Sequence, residues 1–100
     1  LEEPRLDFER LGAIREAVPE RCTLVLHAAS GIPDEDIHRA MGLGITNIHI
    51  STELRKAWRE ALEAALKERP DEYAPYKILK PAVKAVEETV AIKIRLFSAL

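Results

Sequence analysis

The sequence predicts an α/β fold in which parallel strands alternate with helices. Two short apolar stretches, residues 22–27 and 45–50, have strand character, and helical periodicity precedes, separates and follows them in the order α-β-α-β-α-α. Strands separated by helices pair in parallel through right-handed crossovers. Two parallel strands alone do not make a stable sheet. We therefore expect residues 1–100 to be a single segment of one larger α/β domain.

The first predicted helix covers residues 5–18, with Asp7 as a candidate N-cap and Pro19 at its end. The strand that follows covers residues 22–27. Its apolar residues at 24–26 do not alternate with polar ones, which is typical of a strand buried on both faces of a parallel sheet.

A short second helix is predicted to begin at Pro33, because acidic residues fill its first turn and suit the positive end of the helix dipole. Gly42 and Gly44 end it. In the second strand, Ile48 and Ile50 alternate with polar residues, which indicates one apolar face.

Ser51 or Thr52 is predicted to cap a long third helix. Trp58 lies on the apolar stripe of that helix, so we expect it to pack in the core. A polar connector and a last helix follow, at residues 71–77 and 81–97.

The charge distribution excludes two classes of partner. The net charge is −2 and both signs are mixed along the chain, so there is no basic patch for nucleic acid and no cationic stripe for a membrane surface. Cys22 is the only cysteine. No disulfide can form within the chain, and we expect a reducing, cytoplasmic setting.

Both strands end in residues that suit ligand binding. His27 follows the first strand and precedes a loop of small residues, and Ser51 and Thr52 follow the second strand at the start of a helix. Binding sites form at the carboxyl ends of parallel strands, and such loops could together clamp a phosphate. The alternatives to ligand binding are that the histidine is a hydrogen-bonded residue at the rim and that the hydroxyls only cap the helix.

The run LVLHAASGIPDEDIHRAMGLGITNIHISTEL resembles the C-terminal part of class II, metal-dependent fructose-bisphosphate aldolases, in particular the branch with the tagatose-bisphosphate aldolases. The segments LDFERLGAIREAV and KIRLF also fit that family. The resemblance covers nearly the whole chain. It implies the C-terminal portion of a TIM (β/α)8 barrel, from the sixth helix through the seventh and eighth strands and the eighth helix to a C-terminal helix.

The resemblance also implies a function. Family members are carbon–carbon lyases of carbohydrate metabolism, including glycolysis, that reversibly cleave a ketose bisphosphate into dihydroxyacetone phosphate and an aldehyde. Zinc is the implied Lewis acid, with a monovalent cation as an additional candidate. A homo-oligomer is expected, since family members are commonly dimers or tetramers.

Family positions transfer to six residues of this sequence. His27 matches one of three zinc-binding histidines. The residues that match phosphate or substrate contacts are Ala28, Ser30, His49, Ser51 and Thr52. The acid/base carboxylate and the other zinc ligands come from earlier strands in the family, so no catalytic residue is assigned in this segment.

Several residues depart from the family pattern. Ala28 and Ala29 replace glycines, Asn47 replaces a lysine, His49 replaces a substrate-binding asparagine, and Ser51 replaces an acidic or amide residue. For His49 three interpretations stay open: substrate contact, a second metal ligand near His27, or space filling. The alternatives to an active aldolase are a non-catalytic sugar-phosphate-binding paralogue and an isolated or engineered barrel fragment that self-associates.

Overall fold

A computed structural model describes residues 5–98, which fall into two compact units, residues 5–50 and 51–98. The elements of the first unit are α1 (Phe8–Ala17), β1 (Leu24–Leu26), α2 (Asp34–Gly42) and β2 (Ile45–Ile48). The second unit consists of α3 (Thr52–Glu68) and α4 (Pro75–Ser98). The predicted order α-β-α-β-α-α is therefore confirmed.

The strands β1 and β2 pair in parallel, as predicted. Leu24 lies opposite Ile45, but Val25 lies opposite Asn47 and not opposite Thr46. An extra residue in β2 therefore forms a β-bulge, which is rare between parallel strands. The bulge shifts the register of everything that follows it by one residue.

The two faces of this sheet differ in exposure. Leu24 and Leu26 are half-buried, whereas Val25 between them is 39% exposed. The prediction that β1 is buried on both faces is therefore wrong for the residues that the structure describes. α2 packs against β2, and the described residues leave the Val25 side chain partly open to solvent.

The core of the first unit is small and built largely around α2. Ile37 and Ala40 on that helix are buried, as are Ala29 and Ile45. The predicted start at Pro33 is confirmed, because Pro33 is the N-cap and the first turn is acidic. The Arg39 guanidinium lies 4.0 Å from the centroid of the Phe8 ring, within cation–π range.

One arginine holds the turn between α1 and β1. Arg15 donates hydrogen bonds to the carbonyl oxygens of Pro19, at 2.7 Å, and of Cys22, at 2.9 Å. At the other end of α1, the Asp7 carboxylate accepts the backbone N–H of Arg10 at 2.9 Å. The predicted Asp7 cap is therefore confirmed. Arg15 also borders Gly44, the residue that leads into β2.

The last helix begins earlier than the sequence predicts. α4 starts at Pro75, so residues 75–77 are helical and Pro81 lies inside the helix. Proline is well suited to the first helical turn, because a backbone N–H at that position would have no acceptor within the helix. The Ala74 carbonyl accepts the N–H groups of Lys77 and Ile78, which establishes the helix before Pro81. The cost is one missing backbone hydrogen bond at Pro81.

The start of α4 is also supported by an acidic side chain. The Glu72 carboxylate accepts the backbone N–H of Ala74 at 3.1 Å and lies 3.6 Å from the Lys77 ammonium. The hydrogen bond from Ala74, together with the charge of Lys77, lowers the pKa of Glu72 below its usual range. The ionised form of Glu72 is therefore the one that caps this helix.

The contact between α3 and α4 is made through small residues and one ion pair. Ala65 and Ala82 are buried, which lets the two helices approach closely, and the Lys93 ammonium lies 2.7 Å from the Glu53 carboxylate. Trp58 is 42% exposed, so the prediction that it packs in the core is wrong for the described part of the chain. The described residues leave a large part of this side chain open to solvent. Between residues 5 and 98, no helix combines the length and apolar character that crossing a membrane requires.

We predict that Gly44→Ala destabilises the protein. Gly44 has φ 112°, and a Cβ at this position would lie 2.5 Å from Cδ of Arg15. The expected loss is about 1–3 kcal/mol in the free energy of unfolding, measured by denaturant titration. Gly42→Ala is the matched control, because no atom lies within 4 Å of its added Cβ. Equal stability of the two variants would contradict the constraint at Gly44.

Candidate functional site at the strand ends

Two histidine rings meet where the two strands end. The backbone N–H of His49 donates to the carbonyl oxygen of Leu26 at 3.0 Å, which continues the parallel ladder beyond β2. The ring centroids of His27 and His49 are 4.6 Å apart, and the ring planes are inclined by 79°. Both residues are exposed. The strand ends therefore present two accessible imidazoles side by side.

The β-bulge is what aligns these two rings. Because Leu26 lies opposite Ile48, the next pair in the register is His27 and His49. Without the extra residue in β2, His27 would continue opposite Ile48 instead. The bulge thus places two imidazoles together on the side of the sheet that carries Val25.

Asn47 belongs to the same side of the sheet. It pairs with Val25 and is exposed. The sequence singled it out only as a substitution, not as a member of the site. A signal was present, because Ile45 and Ile48 are three residues apart and Ile48 and Ile50 are two apart. A strand that keeps all three isoleucines on one face needs an extra residue between the first two, and that residue reverses the side on which Asn47 lies.

The loop after β1 has an unusual backbone. Ala28 has φ 53°, which makes it the one non-glycine residue with a positive φ among residues 5–98. The next residues form a turn closed by the Ile32 N–H and the Ala29 carbonyl at 3.2 Å. Gly31, with φ 83°, occupies the turn position that requires a positive φ in a type II turn. Ala29 is only 2% exposed and Ser30 is half-buried.

Ala28, which replaces a glycine of the family pattern, therefore carries its Cβ at a positive φ angle. The cost of this conformation for a residue with a Cβ is about 1–2 kcal/mol. The adjacent buried Ala29 helps to hold the strained residue, since its side chain is packed into the first unit. The loop thus brings the backbone around Ala28 into a conformation that glycine would adopt without strain.

Ser51 and Thr52 lie at the start of the second unit. Ser51 is the N-cap of α3, as predicted, but its side chain makes no capping hydrogen bond. Its carbonyl oxygen accepts the Arg55 N–H at 3.1 Å. The Thr52 hydroxyl oxygen accepts a long hydrogen bond, 3.5 Å, from the Arg55 guanidinium. The Ser51 hydroxyl therefore makes no capping contact with the first-turn N–H groups of α3.

The structure brings four of the six predicted site residues into one unit. His27, Ala28, Ser30 and His49 lie at the carboxyl end of the sheet, and the direct side-chain contact among them is that of the two histidines. Within residues 5–98 no group of three or more histidine, cysteine, aspartate or glutamate side chains forms a metal site.

Comparison with known proteins decides the family. The family model "Fructose-bisphosphate aldolase class-II" matches residues 1–100, the whole chain. This protein belongs to the class II fructose-bisphosphate aldolase family. The resemblance that the strand-end motifs indicated is confirmed.

Similar proteins include two aldolases and one solved structure. The chain is 41% identical over 97 residues to 6-phospho-5-dehydro-2-deoxy-D-gluconate aldolase from Bacillus subtilis, covering 97% of this chain and 33% of that protein. It is 42% identical over 88 residues to D-tagatose-1,6-bisphosphate aldolase subunit GatY from Klebsiella oxytoca, covering 88% of this chain and 30% of that protein. The chain therefore spans about a third of the length of the curated relatives it matches.

The fold also matches a crystal structure. The YdjI aldolase from Escherichia coli K12 superposes with a TM-score of 0.74 at 43% sequence identity, covering 95% of this chain and 34% of that one. At this identity the local fold and the family agree. The α-rich α/β segment with a parallel two-stranded sheet is thus consistent with part of an aldolase fold.

We predict opposite effects of glycine at the two alanines of the loop. Ala28→Gly relieves the strain of the positive φ angle but also raises the conformational entropy of the unfolded chain. Because the strain is the larger of the two free-energy terms, the variant should be more stable by roughly 0.5 kcal/mol. Ala29→Gly removes a buried methyl group and should destabilise it by about 1–2 kcal/mol. Thermal and denaturant unfolding measure both. A loss of stability in Ala28→Gly would contradict the strain at this residue.

Proposed function

We propose that the protein is a class II aldolase-like lyase that makes or cleaves a ketose bisphosphate. The two substrates of the condensation are dihydroxyacetone phosphate and an aldehyde. The observation that carries this proposal is the pair of exposed imidazoles at the carboxyl ends of two parallel strands, in a chain of this family. The relatives are aldolases of a phosphorylated deoxygluconate and of tagatose 1,6-bisphosphate, which supports a sugar-phosphate substrate.

In this proposal the sheet is the C-terminal part of a TIM (β/α)8 barrel. The exposure of the two faces supports it. Leu24, Leu26 and Ile48 are half-buried on one face of the sheet, whereas Val25 and Asn47 are exposed on the other. In a closed barrel the second face would point inwards, and each strand would gain a neighbour on its open edge. His27 and His49 would then lie at the catalytic rim.

The chemistry of His27 fits a zinc ligand. A neutral imidazole is a common zinc ligand, and His27 is exposed at the end of a strand whose backbone is tied to β2. When bound, zinc would polarise the substrate carbonyl as a Lewis acid. His27 itself would hold and orient the ion. The other ligands and the acid/base carboxylate are proposed to come from other strands of the barrel.

Each of the two loops has features that suit a phosphate group. Residues with small side chains, Ala28 and Ser30, let an anion approach the loop backbone, and the Ser30 hydroxyl is a potential donor. At the start of α3, the uncapped N–H groups and the Ser51 and Thr52 hydroxyls are donors that also suit a phosphate. The long contact between Thr52 and Arg55 is weak enough to exchange for a phosphate oxygen.

His49 would contact the substrate beside the metal. Its ring lies against His27, and an imidazole differs from an amide in the number and geometry of its donors and acceptors. A change in the preferred aldehyde is the expected consequence for specificity.

Two further features of the proposal are a homo-oligomer, supported by the exposed apolar residues Tyr76, Val83 and Ile94 on α4, and a cytoplasmic location, supported by the single free Cys22.

We predict that His27→Ala abolishes metal-dependent aldol condensation. In the full-length protein, added zinc should support condensation of dihydroxyacetone phosphate with an aldehyde, and a chelator should remove it. His27→Ala should lower kcat/KM and zinc affinity by at least about 100-fold. His38→Ala is the matched control, because His38 is exposed on α2 and should leave both unchanged.

Two results would count against the enzyme. Binding of the sugar phosphate without turnover would favour the non-catalytic paralogue, which the substitutions at Ala28 and His49 motivate. Turnover that survives complete removal of zinc would contradict the metal-dependent class.

We predict that Thr52→Val weakens phosphate binding. Loss of one hydrogen bond to a charged oxygen should raise KM for dihydroxyacetone phosphate about 10-fold or more, while zinc affinity stays unchanged. Thr23→Val is the control, since Thr23 lies just before β1, at the opposite end of the strand from His27. The same KM in the Thr52 variant and the wild type would remove Thr52 from the phosphate site.

A further inference from the structure

The two imidazoles at the strand ends are close enough to share one ion. Zn–N bonds of about 2.0–2.1 Å in a tetrahedral shell put the centroids of two bound imidazoles roughly 5 Å apart. The observed separation of His27 and His49 is 4.6 Å. The ring planes are inclined by 79° and are not stacked face to face.

We propose that His49 is a second imidazole ligand of the metal held by His27. The proposal rests on the proposed function for the metal at His27 and goes beyond it by changing the donor set. In place of the side-chain amide that the family resemblance implies at this position, the chain supplies a nitrogen donor of the type that zinc prefers. His49 would then tune metal affinity as well as contact the substrate.

The backbone around both histidines supports this assignment. The hydrogen bond from the His49 N–H to the Leu26 carbonyl, 3.0 Å, ties the residue to the neighbouring strand one position before His27. The bulge in β2 is upstream of this bond and sets the register that pairs the two residues. Two ligands held on adjacent, hydrogen-bonded strands lose little conformational freedom when a metal binds.

Both side chains are also accessible to an ion. His27 and His49 are exposed in the first unit, and no ion pair among residues 5–98 engages either ring. Their ring contact is with each other. Each imidazole therefore has a nitrogen available for coordination.

The test is a count of imidazole ligands in the full-length protein loaded with Co²⁺. Each coordinated histidine contributes a hyperfine-shifted, exchangeable ring N–H signal to the proton NMR spectrum. We expect His49→Asn to remove one such signal and to weaken Co²⁺ and Zn²⁺ affinity 10–100-fold or more in chelator competition. The control is His38→Asn, which should change neither the signals nor the affinity.

The outcomes separate this proposal from the proposed function. If His49→Asn keeps every shifted N–H signal and an unchanged metal affinity, while His27→Asn loses the metal, the assignment of His49 is overturned and that of His27 stands. If the wild-type protein binds neither ion, the metal role of His27 is overturned, and that of His49 with it.

A second measurement needs no substitution at His49. In wild-type protein with ¹⁵N-labelled histidine, Zn²⁺ should shift one ring nitrogen of His49 together with one of His27. A shift at His27 alone would overturn the proposal, even if the His49→Asn variant failed to fold.

Discussion

The site depends on the parallel pairing of β1 with β2 and on the one-residue bulge within it. Pairing brings the carboxyl ends of both strands to one edge, and the bulge decides which residues stand opposite each other there. The hydrogen bond from His49 to Leu26 extends this register to the last residue before the loops. The backbone register thus brings the two histidine rings within contact distance.

The same register explains how β2 contributes side chains both to the core and to the candidate site. Ile45, Ile48 and Ile50 avoid full exposure, while Asn47 and His49 are exposed. A regular strand could not keep Ile45 and Ile48 on one side, because side chains alternate with a period of two. The extra residue resolves this conflict and also increases the local twist. The bulge therefore keeps the isoleucine side chains on the apolar face and the polar side chains on the other face.

Backbone conformations around the sheet are held by neighbours and not by local preference. Ala28 adopts a positive φ although it carries a Cβ, and buried Ala29 follows it. Gly44 enters β2 beside Arg15, whose guanidinium is anchored on two carbonyl oxygens. A conformation that costs energy locally persists where surrounding contacts fix it, and such residues concentrate at binding sites. The position of Ala28 next to His27 agrees with that pattern.

Much of the fold could be predicted because it depends on short-range patterns. Hydrophobic periodicity located all six elements, Asp7 and Pro33 marked two helix starts, and the motif around His27 indicated the family. The start of α4 could not be predicted in this way. Pro81 is a helix breaker by local preference, but the hydrogen bonds at Ala74 and the cap from Glu72 start the helix a full turn and more before it.

The sequence by itself determined the kinds of element, their order, the parallel pairing and the residues that could bind a ligand, since each follows from local pattern or from a family motif. Tertiary structure decided the register, the exposed face of β1, the exposure of Trp58 and the contact between His27 and His49. These features depend on which residues lie opposite each other across strands and helices. The spacing of the isoleucines favours the bulge in β2, but the packing of the whole unit selects one register among several.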